Sequence, residues 1–262
     1  MTSSVTTEKI GKTMVLVLNR PEAYNAFDLD MIQEVADILI QTAVDSDTSG
    51  LIISGRGKAF CAGGDLRWIH QCGGSHGAAF HELAARYHQA ILEIRRMPKP
   101  VIAAINGLAA GGGFSMALAC DFRVMETSAV LRQAYTSNGL SIDGGGTYTL
   151  PRLVGLARAL EITAFDRPID AQKALSWGLV TEVTDDGNAR ARAMEMIREI
   201  QEGALTSFAA SKQLLIDSFH TSLEAQLEKE RHLLARVADS RAGREGVTAF
   251  LEKRKPLFNR DD

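Results

Sequence analysis

The sequence is poor in cysteine, in long apolar runs and in excess charge of either sign, and each shortage removes a class of function. Three cysteines, Cys61, Cys72 and Cys120, stand among 262 residues. An odd number without zinc-ligand spacing suggests neither a disulfide framework nor a structural zinc site. No secretory signal opens the chain, so they read as reduced thiols and the expectation is a cytoplasmic protein. No apolar run approaches the ~20 residues that span a bilayer, and no membrane partner is expected. The formal net charge of −3 leaves no footprint for nucleic acid, so any anion site must be local. His70, His76, His81 and His88 are scattered over a loop and a helix. They read as solvated or packed side chains, not as a metal site.

What remains is ordinary globular composition, 45% hydrophobic and 23% charged. The length suits one large α/β domain or a core with a small appendage. Residues 5–10 and 13–18 flank Gly11-Lys12 and predict a β-hairpin. A helix is expected from Asp28 or Asp30, with Ile32, Val35, Ile38 and Leu39 on one face. Leu51-Ile52-Ile53 reads as a short buried strand, and Val101 to Ile105 as a central one. Between them a helix is expected near Asp65, and residues 73–77 break the pattern. A long helix follows over 78–96, until Pro98 and Pro100 stop it. Further strands are expected at 122–125, 130–131 and 179–183, with helices over about 147–154, 156–165 and 171–177. Beyond residue 187 the pattern is almost wholly helical. That shift predicts an α/β core over 1–187 and a helical region over 188–262.

Two small-residue loops point to chemistry. The run Val101 to Ile105 leads into Asn106-Gly107-Leu108-Ala109-Ala110-Gly111-Gly112-Gly113, and small residues follow from Ser115 to Ala119. The order reads as strand, loop and the start of a tightly packed helix. Glycine lets a ligand approach bare backbone, and the N–H groups of a helix start favour negative charge. A close-packed turn that binds nothing would look the same. The second loop, Phe60-Cys61-Ala62-Gly63-Gly64-Asp65-Leu66, also follows an apolar strand and favours the ligand reading.

These loops, with Asn19-Arg20-Pro21, Asn25-Ala26, Cys120-Asp121 and the C-terminal run Glu252 to Phe258, resemble the crotonase (enoyl-CoA hydratase/isomerase) superfamily over nearly the whole chain. The resemblance implies an α/β fold, a crotonase-like spiral of ββα units with a helical C-terminal trimerisation region. It implies a homotrimer or dimer of trimers. The ligand it implies is an acyl-CoA thioester, with coenzyme A as part of the substrate and no separate cofactor. Chemistry beside a thioester carbonyl passes through an enolate, and two backbone N–H groups aimed at that oxygen stabilise the charge without reorganising. By the family's pattern those donors belong to Gly64 and Gly112, with Gly111 beside the second. The resemblance also places the CoA adenine against Ala62, Gly63, Asp65 and Leu66, and Ala23 along the pantetheine path. Lys253 or Lys255 would meet the phosphates, although a basic last helical turn is also ordinary dipole complementation. Trp68 and the segment from His70 to Ala79 would shape the acyl pocket.

The departures from the family bear on the reaction. Its hydratases place one water with two glutamates, where this chain has Ser115 and Tyr135. Neither is a strong base at neutral pH, free tyrosine titrating near about 10. Two-carboxylate hydration is therefore disfavoured. Asp143, ahead of Gly144-Gly145-Gly146-Thr147, is the remaining carboxylate in a suitable place. It also fits an ordinary helix N-cap, worth ~1 kcal/mol. The resemblance favours catalysis. Members that shift double bonds or rearrange rings carry an Asp here, and the look is closest to the ring-1,2-epoxyphenylacetyl-CoA isomerase-like branch. Ile142 stands where that branch has proline.

The expectation is thus an acyl-CoA isomerase with Asp143 as general base in a pocket emptied of water, Tyr135 as wall or donor, and Ser115 as packing. One alternative is a hydratase with a reduced acid/base set. Another makes Asp143 a nucleophile, as in 4-chlorobenzoyl-CoA dehalogenase, in a dehalogenase- or thioesterase-type hydrolase. Outside enzymes, the chain would be an acyl-CoA-binding oligomer without turnover.

Overall fold

After an opening hairpin, strands come in pairs along this chain, and the two members of a pair join different sheets. A computed structural model describes residues 3–258. The larger sheet holds, side by side, β1 (Val5–Ile10), β2 (Thr13–Leu18), β3 (Gly50–Gly55), β5 (Val101–Ile105), β7 (Phe122–Glu126) and β10 (Glu182–Thr184). The β1–β2 hairpin is antiparallel and the other pairings in this sheet are parallel. The smaller sheet holds β4 (Ala59–Cys61), β6 (Leu108–Ala110), β8 (Val130–Arg132) and β9 (Ile169–Asp170).

Each crossing from the large to the small sheet is followed by helix. The pair β3–β4 leads to α2 (Leu66–Gln71) and α3 (His76–Arg96), β5–β6 to α4 (Gly112–Ala119), and β7–β8 to α5 (Gly146–Phe165). The hairpin is followed by α1 (Leu29–Val44). This is the ββα spiral expected from the sequence. It brings the C-terminal ends of β4 and β6 together as parallel neighbours, and with them the two glycine loops.

The central strands of the large sheet, β3 and β5, are apolar on both faces because both are covered. Leu51, Ile53, Val101, Ala103 and Ile105 face a core shared with α1, α3 and α4. Their alternates Ile52, Ile102 and Ala104 pack on Ala189, Ala193, Met194 and Ile197 of α7 (Ala189–Gln201). The helical run that starts after residue 187 therefore begins by closing the sheet. It continues through α8 (Leu205–Asp217), α9 (Leu223–Ala238) and α10 (Arg241–Leu251), after the short α6 (Ala171–Ser176). The later helices leave large apolar side chains uncovered, Leu234 at 72% and Phe250 at 83% exposure among them. Among the described residues, no helix is long and apolar enough to cross a membrane.

One buried ion pair ties this region to the core. Lys212 of α8 donates to Asp121 Oδ2 at 2.8 Å and to the carbonyls of Ile94 and Lys99, both at 3.3 Å. Asp121 Oδ2 also accepts the N–H of Val101 at 2.8 Å. Burial pushes the Asp121 carboxyl up, and Lys212 works against that shift.

Three details differ from the sequence expectation. Cys61 lies in β4 and Leu108–Ala110 form β6, each within what reads as loop, because three-residue strands carry too little periodicity to register. The late strand is Glu182–Thr184; Leu179 and Val180 are buried but outside the ladder, and Leu179 instead accepts Arg123 Nε at 2.7 Å. Helices over 147–154 and 156–165 form one run, α5, divided at Gly155 by φ 76, ψ 160.

Candidate active site

The start of α4 is left without a cap. Gly111 is its N-cap at φ 54, ψ −124, a backbone suited to glycine, and no side chain accepts from the first turn. The leading N–H groups of such a helix have no intrahelical partner. Gly63, at φ +92, lets the second loop lie against this turn: a Cβ there would stand 2.7 Å from Gly112 N. Gly64 pairs with Phe27 in a single parallel bridge. Phe27 N–H donates to Gly63 O and Asp65 N–H to Phe27 O, each at 2.8 Å. In that pattern the N–H of the intervening residue points away from its neighbour. Among the described residues, no backbone carbonyl accepts the N–H of Gly64 or that of Gly112. Both glycines line a cavity of about 380 Å³, with Phe27, Phe80, Tyr87, Tyr135, Ile142 and Asp143 among its walls.

The opening of the chain clamps the Gly63-Gly64 loop in place. Asn25, fully buried at φ 56, donates through Nδ2 to Ala59 O at 2.8 Å and accepts Arg20 N–H at 2.9 Å. The Arg20 guanidinium joins Ala26 O at 2.6 Å, Asp28 at 3.0 Å and Asp65 at 2.9 Å. Asp28 and Asp65 are the N-caps of α1 and α2. Asp65 is therefore committed to structure, accepting Arg67 N–H at 3.0 Å. Ala62 N–H donates to Tyr24 O at 3.0 Å, one residue from Ala23. Leu66 is 47% exposed at the loop's end. Trp68 packs on the core and Lys253 sits in the left-handed turn after α10; neither lines the cavity.

Asp143 faces the glycine pair from the loop ahead of α5. It does not cap that helix. The N-cap is Gly145 with no side-chain hydrogen bond, and Asp143 supplies only its carbonyl, to Gly146 N at 3.1 Å. Its carboxylate Oδ1 instead meets Nε2 of His88. The site is also wetter than expected, with the Asp143 side chain 36% and that of His88 51% exposed. Burial pushes the Tyr135 phenol well above its ordinary pKa; the Ser115 hydroxyl opposes that shift and the Asp143 charge adds to it. Tyr135 is therefore neutral at working pH. Ser115 is fully buried and its Oγ completes no hydrogen bond of ordinary geometry. It stands 2.7 Å from where a Cβ of Gly146 would be, packed on the start of α5.

Sequence reasoning missed two residues, and both lie on α3. Tyr87 is fully buried, and its hydroxyl donates to the carbonyl of Gly112. Its ring centroid is 4.8 Å from that of Phe27. His88, read as one of several packed or solvated histidines, is the partner of Asp143. The signal was a stripe at helical spacing, His81, Ala84 and Tyr87-His88, whose first three members line the cavity. Among the described residues, no group of three or more His, Cys, Asp or Glu is placed to hold a metal ion.

Known proteins resemble this chain over most of its length. The family model for enoyl-CoA hydratase/isomerase matches residues 9–261. The chain is 34% identical over 247 residues to the 1,2-epoxyphenylacetyl-CoA isomerase of Escherichia coli K12, covering 94% of each. It is 31% identical to the short-chain-enoyl-CoA hydratase of Clostridium acetobutylicum, covering 97% of this chain and 96% of that one. The crystal structure of an enoyl-CoA hydratase from Bacillus anthracis superposes with a TM-score of 0.90 at 32% identity, covering 98% and 99%. The chain belongs to the enoyl-CoA hydratase/isomerase, or crotonase, family, and its spiral of ββα units is the fold of that family. Since these relatives are named for isomerisation and for hydration, membership fixes the family and leaves the reaction to the site.

Proposed function

We propose that this protein is an acyl-CoA isomerase that shifts a double bond, or rearranges the acyl group, through an enolate. One observation carries the reading. Two residues whose N–H groups lack a backbone acceptor line the same cavity as Asp143, and among the described residues lining it Asp143 is the single carboxylate. Asp143 removes a proton from carbon near the thioester and returns it to another carbon, so the proton count is unchanged. The N–H groups of Gly64 and Gly112 hold the enolate oxygen; losing one such donor costs about 10²–10³ in rate. His88 orients the carboxylate between the two transfers. The name of the E. coli relative supports a rearranging reaction. No separate cofactor enters this scheme. Coenzyme A runs past Ala23 and the Ala62 to Leu66 loop, with Lys253 toward its phosphates. The working unit is a homotrimer or dimer of trimers, which would cover the apolar side chains left exposed on α9 and α10.

The test is incubation with a panel of enoyl-CoA thioesters in D₂O, following deuterium at the α and γ carbons. Wild type is expected to exchange and isomerise, and Asp143→Asn to do neither. Exchange and turnover near wild type in that variant would sink the assignment. Appearance of a 3-hydroxyacyl-CoA would identify a hydratase instead.

The contact between His88 and Asp143 favours a second reading, in which Asp143 is a nucleophile and the imidazole activates water to hydrolyse an acyl- or aryl-enzyme. Single turnover in H₂¹⁸O separates the two. Label in the peptide bearing Asp143 identifies the covalent route, and its absence with retained proton exchange identifies the isomerase.

A further inference from the structure

We infer that the Tyr87 hydroxyl is a positioning group for the oxyanion donors, an inference that rests on the reading of Gly64 and Gly112 given above. The need for such a group follows from the turn itself. Gly111, Gly112 and Gly113 carry no side chains, and α4 begins without a cap. Backbone of this kind is soft unless something outside holds it. On one side Gly111 N–H donates to Arg132 O at 3.2 Å, and on the other Ser115 N–H donates to Gly111 O at 3.1 Å. Neither bond touches Gly112. From outside α4 the group that does is the Tyr87 hydroxyl, which donates to the Gly112 carbonyl. That carbonyl and the Gly112 N–H hang from one Cα, so fixing the first restricts the direction of the second.

The ring and the hydroxyl of Tyr87 do separable work. The ring packs at 4.8 Å on Phe27, the residue whose bridge orients Gly64. It also fills the space beside Gly144, where any Cβ would collide with it. One buried side chain thus touches the backbone of Gly112, the ring of the residue that bridges Gly64, and Gly144 beside Asp143. Removing the ring would disturb packing everywhere. Removing the oxygen alone leaves those contacts and releases only Gly112. Burial keeps the phenol protonated, its pKa pushed well above the ordinary value, so it remains a donor at any working pH.

The test compares wild type and Tyr87→Phe with an acyl-CoA that has no double bond and carries ¹³C at the thioester carbonyl. Isotope-edited infrared spectra report how strongly the protein polarises that carbonyl. Wild type is expected to lower the stretching frequency relative to free thioester. Tyr87→Phe should bind with an affinity within about threefold, regain at least half of the shift, and lose about tenfold in kcat at nearly constant KM. A shifted wild type with an equally shifted Tyr87→Phe overturns this inference alone. An unshifted wild type overturns the oxyanion reading as well. If Tyr87→Phe does not fold, a ring-fluorinated tyrosine at position 87 alters donor strength without altering packing. The carbonyl frequency and kcat must then move; if both stay at the wild-type values, the inference falls.

Discussion

His88 meets the cavity-lining Asp143 from a separate unit of the fold, the imidazole Nε2 on α3 against the carboxylate Oδ1 ahead of α5. The neighbouring residue, Tyr87, reaches the other side of the same cavity at Gly112. Consecutive residues of one helix therefore hold the carboxylate and the turn that opposes it.

Removing the imidazole frees the Asp143 carboxylate to rotate. His88→Ala is expected to lower kcat by about tenfold, while His88→Gln, which keeps a donor, retains most of it. Thermal stability should change by less than about 1 kcal/mol, since an exposed pair contributes little. A His88→Ala enzyme with wild-type kcat would show that the carboxylate needs no such support.

Alanine substitutions in the two loops should separate by what each new Cβ meets. At Gly64 the contact is the Leu83 side chain at 3.2 Å, which can shift; at Gly112 it is the Phe27 ring at 2.7 Å. At Gly113 it is the backbone carbonyl of Cys61, which cannot give way. Gly64→Ala is expected to melt near wild type, Gly112→Ala to lose about 1–3 kcal/mol, and Gly113→Ala to lose more or fail to fold. A Gly113→Ala protein as stable as Gly64→Ala would contradict the close approach of α4 to β4.

The Lys212–Asp121 pair predicts a larger cost. Lys212→Met leaves a buried carboxylate without its cation and should lose about 3–5 kcal/mol in urea unfolding. Adding Asp121→Asn should recover part of that loss, because the uncompensated charge is gone. If the double variant is no better than Lys212→Met, the penalty comes from the lost bonds to Ile94 and Lys99 instead.

Much of the fold was legible because long elements repeat their signal. Helix α3 carried over twenty residues of pattern and a stop at Pro98, and the hairpin had its turn at Gly11. Of the smaller sheet only β8 was read; β4, β6 and β9 were hidden because they are two or three residues long. At the site, the glycine loops and Asp143 announced themselves by composition. His88 did not, since its role comes from a contact 55 positions away. Asp143 fitted both a cap and a catalyst by sequence, and the structure gives the capping place to Gly145.

The thiols make a pH-dependent prediction. Burial pushes Cys61 and Cys120 up from an ordinary 9.0 to about 12. In the unfolded chain they ionise near 9.0, so between there and about 12 the unfolded state binds fewer protons. Stability is then fully present below pH 9.0 and lost as pH rises through the folded values. At pH 8 an alkylating reagent should modify half-buried Cys72 and spare the other two until the protein unfolds. Rapid native labelling of Cys61 would contradict its burial.

Helix α3 also governs which changes of length the chain can absorb. Its opening turns supply Gly77, Phe80 and His81 to the cavity wall, and later turns supply Tyr87 to that wall and His88 to Asp143. An insertion ahead of residue 76 lengthens a glycine-rich turn and leaves the rod in phase. One residue added between Phe80 and Tyr87 would rotate everything beyond it by about 100°. The hold on Gly112 and the hold on Asp143 would then go together. The near end of the rod can thus absorb a change of length, while the spacing from Phe80 to His88 has to stay fixed for both holds to survive.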